Sequence, residues 1–404
     1  MRILFLSIYD IEDSNSGYIY ADLIKEFAKH NHKVYAATVT ENRNSDSFLD
    51  TNGVHIVRVK SGKIQKTGKI RKVLNLWRLD GKVIRAIRKA EKGIQFDIVI
   101  TMVSNLSLYK AAKYFKRKHG ASVYMALKDI FPQNAVDIGM LSKRGVKGII
   151  YRFFSKKEQR LYAISDKIGC MSQANCDYIL KHNPTIAADK VEVCPNCIEP
   201  IDVSLNEEEK TLMRNKYGIP LDKKVFVYGG NLGKPQGISF LIDCLRSQKE
   251  NSKVFFLIVG SGTEYKKLAE YYETEKPTHV KVMPSLPRDD YDRMIAACDV
   301  GMIFLDYRFT IPNFPSRLLS YMQAGLPIFA CTDVNTDIGK VITDGGFGWW
   351  CESNDVAAFT REIECAMLAD CTAMGKQAQQ YLTREYSTAR GYEIIMESYQ
   401  GGLK

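Results

Sequence analysis

No apolar run in this 404-residue chain approaches the roughly 20 residues needed to cross a bilayer; segments such as Val254–Val259 fall far short. The opening Met1–Ile8 reads as a strand and turns acidic by Asp10, without the apolar core and cleavage site of a secretory leader. Ten cysteines are scattered, mostly inside apolar segments, which argues against a secreted disulfide framework. An intracellular chain is expected. Histidine is sparse. Its six copies, at 30, 32, 55, 119, 182 and 279, form no cluster, so no His-based metal site or triad is implied. Low-complexity tracts and short tandem repeats are absent as well. An apolar fraction of 45% with 25% charged residues excludes wholesale disorder, and the length implies two or three domains.

What is present is an uneven charge. The net +11 splits near residue 198: the first part carries 34 Lys and Arg against 18 Asp and Glu, a balance of +16, and the rest 23 against 28, or −5. A basic half beside a mildly acidic one implies that the first half alone meets an anionic surface. General solubility charge is the alternative, but it would not concentrate in one half.

Short apolar strands alternate with helical sequence throughout. Strands are expected at Ile3–Ile8, Val34–Val39, Asp97–Met102, Ser122–Leu127 and Lys167–Ser172, with a first helix over Ser16–His30. Further strands are expected at Val225–Tyr228, Phe255–Val259, Val280–Met283, Val300–Leu305 and Pro327–Cys331. Helices over Gly237–Gln248, Thr263–Glu273, Arg288–Cys298 and Ser316–Gln323 separate them, and Asn354–Leu368 and Thr388–Gln400 close the chain. This rhythm implies an α/β protein of two Rossmann-like domains whose parallel sheets face across a cleft. The boundaries are expected at 1–197 and 224–385, with a linker at 198–223 marked by Pro200, Pro220 and Glu207–Glu209. The closing helix, 386–404, would pack back on the first domain.

Four segments carry a resemblance. Val225-Phe-Val-Tyr-Gly-Gly-Asn-Leu-Gly-Lys-Pro-Gln-Gly237 and Leu257-Ile-Val-Gly-Ser-Gly-Thr-Glu264 frame the first strand pair of the second half. Ala297–Leu305 and Phe314-Pro-Ser-Arg-Leu-Leu-Ser-Tyr-Met-Gln-Ala-Gly-Leu-Pro-Ile328 follow. Together they resemble the donor domain of family 4 glycosyltransferases of GT-B fold. Lys128-Asp-Ile-Phe-Pro132 and Tyr151–Ser172 are similar to the branch that builds capsules and O-antigens. The resemblance implies transfer of a sugar from a nucleotide-diphosphate donor, with UDP the expected nucleotide, onto a lipid-linked saccharide acceptor. It further implies retention of configuration, no cofactor, and a cytoplasmic enzyme peripheral on the inner face of the cell membrane. Breaking the donor bond leaves negative charge on phosphate, which a site without metal must meet with Lys, Arg and helix N-terminal amides. The resemblance therefore assigns Lys234 and Arg317 to the leaving diphosphate, with Asp129 as a catalytic-pocket residue. It assigns donor binding to Gly230, Asn231, Lys234, Gly262, Leu286, Ser316, Arg317, Leu318 and Ser320. Gly17, Lys128, Asp129 and Phe131 fall to the acceptor side. Simpler roles compete: Gly17 as a helix cap, Asp129 as a turn cap and Arg317 as a surface residue.

Two departures stand out. The family's two glutamates, eight apart, fall on Pro312 and Ser320, and its loop Arg and Lys fall on Asn231 and Gln236. Ser320 can hydrogen-bond a hydroxyl; the Pro312 side chain offers nothing polar. Two alternatives follow: a catalytically silent nucleotide-sugar-binding partner of an assembly complex, or a GT-B sugar-nucleotide epimerase. Asp290-Tyr-Asp292 spells a metal-binding Asp-x-Asp, but it lies in a helix's first turn, where carboxylates are favoured anyway. Cys194-Pro-Asn-Cys197 has zinc spacing without a second pair, so a buried strand end is expected.

Residues 58–92 interleave basic residues, Arg58, Lys69, Arg71 and Lys72 among them, with Trp77, Val83, Ile84 and other apolar residues, against only Asp80 and Glu91. A second segment, 143–157, has the same character. An anionic membrane surface is the expected partner, not nucleic acid, for which no recognition motif is present. An ordinary helix with one face in the core is the alternative.

Overall fold

The structure, a computed structural model, describes residues 1–8, 19–40, 47–51, 53–61, 69–90, 93–103 and 108–401; of these, the side chains of 47–51, 69–77 and 103 are not described. It divides into two compact units, Met1–Glu199 with Ser387–Lys404, and Pro200–Tyr386.

The first unit begins β1 (Arg2–Ser7), α1 (Ile19–Lys29), β2 (Lys33–Thr40), β3 (Ser47–Thr51), β4 (Val54–Lys60), α2 (Lys69–Ala90) and β5 (Ile98–Val103). It continues α3 (Tyr109–His119), β6 (Ser122–Leu127), α4 (Gln133–Asp137), α5 (Gly145–Ile164), β7 (Lys167–Cys170), α6 (Gln173–His182) and β8 (Val191–Val193). One sheet takes the order β3-β4-β2-β1-β5-β6-β7-β8, parallel except where β3 meets β4. Winding reverses between β1 and β5. In β1, Ile3 and Phe5 enter the core on one face with Ile24 and Phe27 of α1. Leu4 and Leu6 enter the other, with Leu79 and Val83 of α2. A strand covered on both faces needs apolar residues at successive positions, hence its unbroken run.

Part of the basic segment 58–92 turns inward. Arg58 lies inside β4 at 2% exposure, and Val83 and Ile84 pack into the core because the apolar stripe of α2 faces the sheet. The side chains of Trp77, Lys69, Arg71 and Lys72 lie outside those described.

In the second unit come α7 (Glu207–Lys216), β9 (Lys224–Asn231), α8 (Ile238–Ser247), β10 (Val254–Ser261), α9 (Tyr265–Glu275), β11 (Val280–Met283) and α10 (Arg288–Ala296). Then follow β12 (Val300–Phe304), α11 (Arg317–Gln323), β13 (Ile328–Thr332), α12 (Ile338–Asp344), β14 (Gly348–Glu352), α13 (Val356–Leu368) and α14 (Cys371–Glu385). All six strands are parallel in the order β11-β10-β9-β12-β13-β14, the doubly wound arrangement whose switch point lies between β9 and β12.

Within the stretch expected as a linker, α7 starts with a capping box between Asn206 and Glu209. Its Arg214 is a clamp. Nε donates to the Ala297 carbonyl at 2.8 Å, and a terminal nitrogen reaches both Asp299 oxygens at 2.9 Å. Asp299 also accepts the Val225 amide at 2.7 Å, so one ion pair fixes α7, the end of α10 and the start of β9. Arg214→Ala leaves a half-buried carboxylate with only the Val225 amide and frees the Ala297 carbonyl, and should lower the unfolding free energy by about 1–2 kcal/mol, read from denaturant titration.

Finally α15 (Thr388–Gly401) belongs to the first unit. Ser387 bridges Ile198 in parallel, the Thr388 hydroxyl donates to Glu199 at 2.8 Å, and Tyr392 stacks on His30 at 3.9 Å. A Cβ on Gly391 would stand 2.8 Å from Cys197 Sγ, so the helix lies close on the buried Cys194–Cys197 turn.

Two carboxyls of this unit couple its stability to pH. Burial pushes Asp80 up to about 6, although the Ala111 amide donates to it at 2.9 Å. Burial likewise pushes Glu158 up to about 7, against a 2.8 Å hydrogen bond from the Tyr162 hydroxyl. Both take up protons in the folded chain before they do in the unfolded one. Stability should therefore rise as pH falls from about 7 towards 4.5, and Asp80→Asn with Glu158→Gln should flatten that slope in thermal melts.

Candidate functional site

The carboxyl end of β9 carries Tyr228, Gly229, Gly230 and Asn231, directly at the switch point. Across it, the Asp306 amide after β12 donates to the Pro235 carbonyl at 2.9 Å, joining that loop to the short 3-10 turn Lys234–Gln236. Arg317 opens α11, and its guanidinium lies 4.3 Å over the Tyr228 ring. The Tyr321 hydroxyl, one turn on, accepts the Gly229 amide at 3.0 Å and donates to the Val227 carbonyl at 3.2 Å. Tyr291 of α10 fills the space that a side chain on Gly229 would need.

Burial works against the Arg317 charge, but the three tyrosines more than offset it, so its pKa stands above the ordinary value. Burial also raises Tyr291, to about 12, so its hydroxyl stays protonated. The tyrosines are hydrogen-bonding and cation–π partners; they carry no negative charge. Among the described residues, no carboxylate pairs with Arg317. A half-buried guanidinium without a counter-ion, at the carboxyl end of a parallel sheet, suits an anionic ligand. Gly230 is required beside it. With φ +119°, it adopts a conformation that residues with a side chain rarely reach, and a Cβ would sit 2.6 Å from an Arg317 nitrogen.

The remaining expected donor residues scatter in role. Asn231 is exposed and donates to the Gln236 side chain at 3.0 Å, and the Gly233 amide donates to the same oxygen at 3.1 Å. The two residues standing where the family has Arg and Lys therefore close the loop on itself. Lys234 is exposed at the start of the turn. A Cβ on Gly262 would collide with the Leu232 backbone, which explains that glycine by chain packing. Leu286 is half-buried after β11, Ser316 precedes α11, and Ser320 is half-buried on it. Leu318 is fully buried, its amide directed to the Pro315 carbonyl, so it offers a ligand no polar group. Pro312 is buried.

On the first unit, Lys128, Asp129 and Phe131 follow β6 at its carboxyl end. Lys128 Nζ donates to the Cys194 carbonyl at 3.2 Å. Asp129 shows surface to solvent, yet loss of hydration holds its carboxyl above the ordinary value. The Phe131 ring meets Phe154 of α5 edge-on at 5.0 Å. Gly17 lies outside the described residues. Asp290 pairs with Lys216 at 2.8 Å and Asp292 with Arg288 at 3.3 Å, and no cluster of three metal-ligating side chains occurs among the described residues.

Comparison with known proteins agrees with this geometry. Residues 18–201 match the sequence model of Glycosyltransferase Family 4, and residues 209–381 that of Glycosyl transferases group 1. The chain belongs to the family 4 glycosyltransferases of GT-B fold. Among relatives, WbjE of Pseudomonas aeruginosa, named as a glycosyltransferase, is 23% identical over 75% of this chain and 74% of its own. WcaI of Escherichia coli, named for colanic acid biosynthesis, is 20% identical over 67% and 66%. The structure of HepE from Anabaena in complex with UDP shares the fold, with a TM-score of 0.69, 14% identity and coverage of 99% and 100%.

For this family member, Tyr228, Tyr291 and Tyr321 are the residues that sequence reading missed. Tyr228 precedes the glycine pair and Tyr321 lies one turn beyond Arg317, spacings that place both beside the guanidinium. Tyr291 was hidden between two carboxylates that suggested a metal. Gly230→Ala should leave the fold intact by circular dichroism while lowering turnover more than about tenfold, because Arg317 must move aside.

Proposed function

We propose that this glycosyltransferase moves a sugar of the hexosyl or N-acetylhexosaminyl type from a UDP-linked donor to a lipid-linked saccharide, building a bacterial surface polysaccharide of the capsule, O-antigen or exopolysaccharide kind. The observation that carries the reading is Arg317, a cation without an acidic partner among the described residues, held over Tyr228 at the switch point. HepE, a structural neighbour, has been solved with UDP and with UDP-glucose, and WcaI is named for colanic acid biosynthesis; both support it.

The chemistry follows from charge. The bond between the sugar's anomeric carbon and the phosphate oxygen breaks while a bond to the acceptor oxygen forms on the same face. The acceptor proton passes to the leaving diphosphate. Arg317 and Lys234 stabilise the charge on that leaving group, which makes no demand for a strong side-chain base; retention and independence of metal are what the family resemblance implies. Asp129, with its raised pKa, belongs to the acceptor side. The enzyme works in the cytoplasm, peripheral on an anionic membrane.

Thermal melts against a panel of nucleotide sugars decide the donor. A UDP-sugar should raise the melting temperature, and Arg317→Ala should abolish the rise. If no nucleotide diphosphate stabilises the protein, the donor reading fails. In turnover assays, Arg317→Ala and Lys234→Ala should each cost more than about tenfold, roughly 1.4 kcal/mol. Chelator should leave the rate unchanged; full dependence on added Mg²⁺ or Mn²⁺ would return Asp290 and Asp292 to consideration.

A further inference from the structure

We infer that α5 docks the protein on anionic bilayers through the outward face of its first turns, an assignment that rests on the lipid-linked acceptor reading. Val146, Ile149, Ile150 and Phe153 are 77%, 61%, 43% and 48% exposed. Their spacing of three and four residues gathers them into one stripe. Leu161 and Tyr162 are buried, as is Gly148, where a Cβ would meet the Lys143 carbonyl carbon at 2.8 Å. The inner face of α5 is therefore already satisfied by the unit, and the exposed stripe is a second apolar face.

The surrounding charge selects the partner. Lys143, Arg144, Lys147, Arg152 and Lys156 are exposed around the stripe, and Lys157 Nζ lies 5.0 Å from the Phe153 ring centre. The single carboxylate of α5, Glu158, is half-buried and accepts the Tyr162 hydroxyl. Anionic headgroups pair with the cations while the stripe enters the acyl boundary. A nucleic acid would leave the stripe unmatched. A second copy would set like charges against each other. By contrast, the described side chains of α2 send Leu79, Val83 and Ile87 into the core and expose Arg78, Arg85, Arg88 and Lys89, so that face has charge without an apolar stripe.

Position adds a functional reason. Phe131, on the loop after β6 with Lys128 and Asp129, packs on Phe154 of this same helix. A docked α5 holds the acceptor-side loop about one helix diameter from the lipid surface.

The test is co-sedimentation of the full chain with phosphatidylcholine vesicles, with and without phosphatidylglycerol, across a salt series. Wild type should bind only the anionic vesicles. Ile149→Ser with Phe153→Ser should weaken binding more than about tenfold at every salt concentration. Lys143→Glu with Lys147→Glu should weaken it chiefly at low salt. The UDP-dependent rise in melting temperature should survive in each variant. If the serine variant binds like wild type while Lys69→Glu, Arg71→Glu and Lys72→Glu together abolish binding, the docking face is wrong and the membrane reading stands. If wild type ignores anionic vesicles at low salt, both fail. A dimer that the serine variant splits, or retention on duplex DNA in place of vesicles, also overturns the assignment.

Discussion

The second unit is organised around the absence of a side chain. At the end of β9, Gly230 leaves room for the Arg317 guanidinium to lie against Tyr228, and Gly229 leaves room for Tyr291. The placing of Arg317 and Tyr291 depends on these two vacancies. Tyr321 closes the assembly by holding the Gly229 amide and the Val227 carbonyl at once. Three tyrosines on three different elements thus support one cation without neutralising it. A carboxylate would have held Arg317 more cheaply, but it would have cancelled the charge that suits the site to an anionic ligand.

Much of the fold was legible because both sheets are parallel and covered on both faces, so their strands read as short apolar runs separated by helices. What escaped had a local cause. β14 contains Trp349 and Trp350, which break no rule for a strand but follow a glycine-rich turn that reads as loop. The composition of α14 is polar enough to look like surface, although Asp370 caps it by accepting the Ala373 amide at 3.0 Å. β4 was hidden by its own basic residues: Arg58 counts as surface charge in any tally along the chain, and only strand pairing with β2 places it inside.

The candidate site was legible in part for a similar reason. Arg317 and Gly230 stood out because a cation after Pro-Ser and a glycine pair after a strand each have a restricted set of uses. Their mutual contact, 87 residues apart in sequence, could not be read without the sheet order that makes β9 and β12 neighbours. Gln236 looked like a lost basic residue and is instead the acceptor that folds its loop. The basic first half shows the same limit. Charge counting found the half correctly described as basic, while the packing of α2 and α5 decided which of its apolar residues remain outside.

The path of the chain through the first unit bears on how it is made. Glu199 leaves that unit, and the chain re-enters it at Ser387, beside the point of exit at Ile198. The intervening unit is continuous in sequence and has all of its strands before α15 is synthesised. Domains usually complete themselves in the order they leave the ribosome. Here the order is inverted for the last step: the first unit waits, with Phe27 and Cys197 uncovered by α15, until residues 388–401 have emerged. Until then the nascent first half carries apolar surface that only α15 can cover.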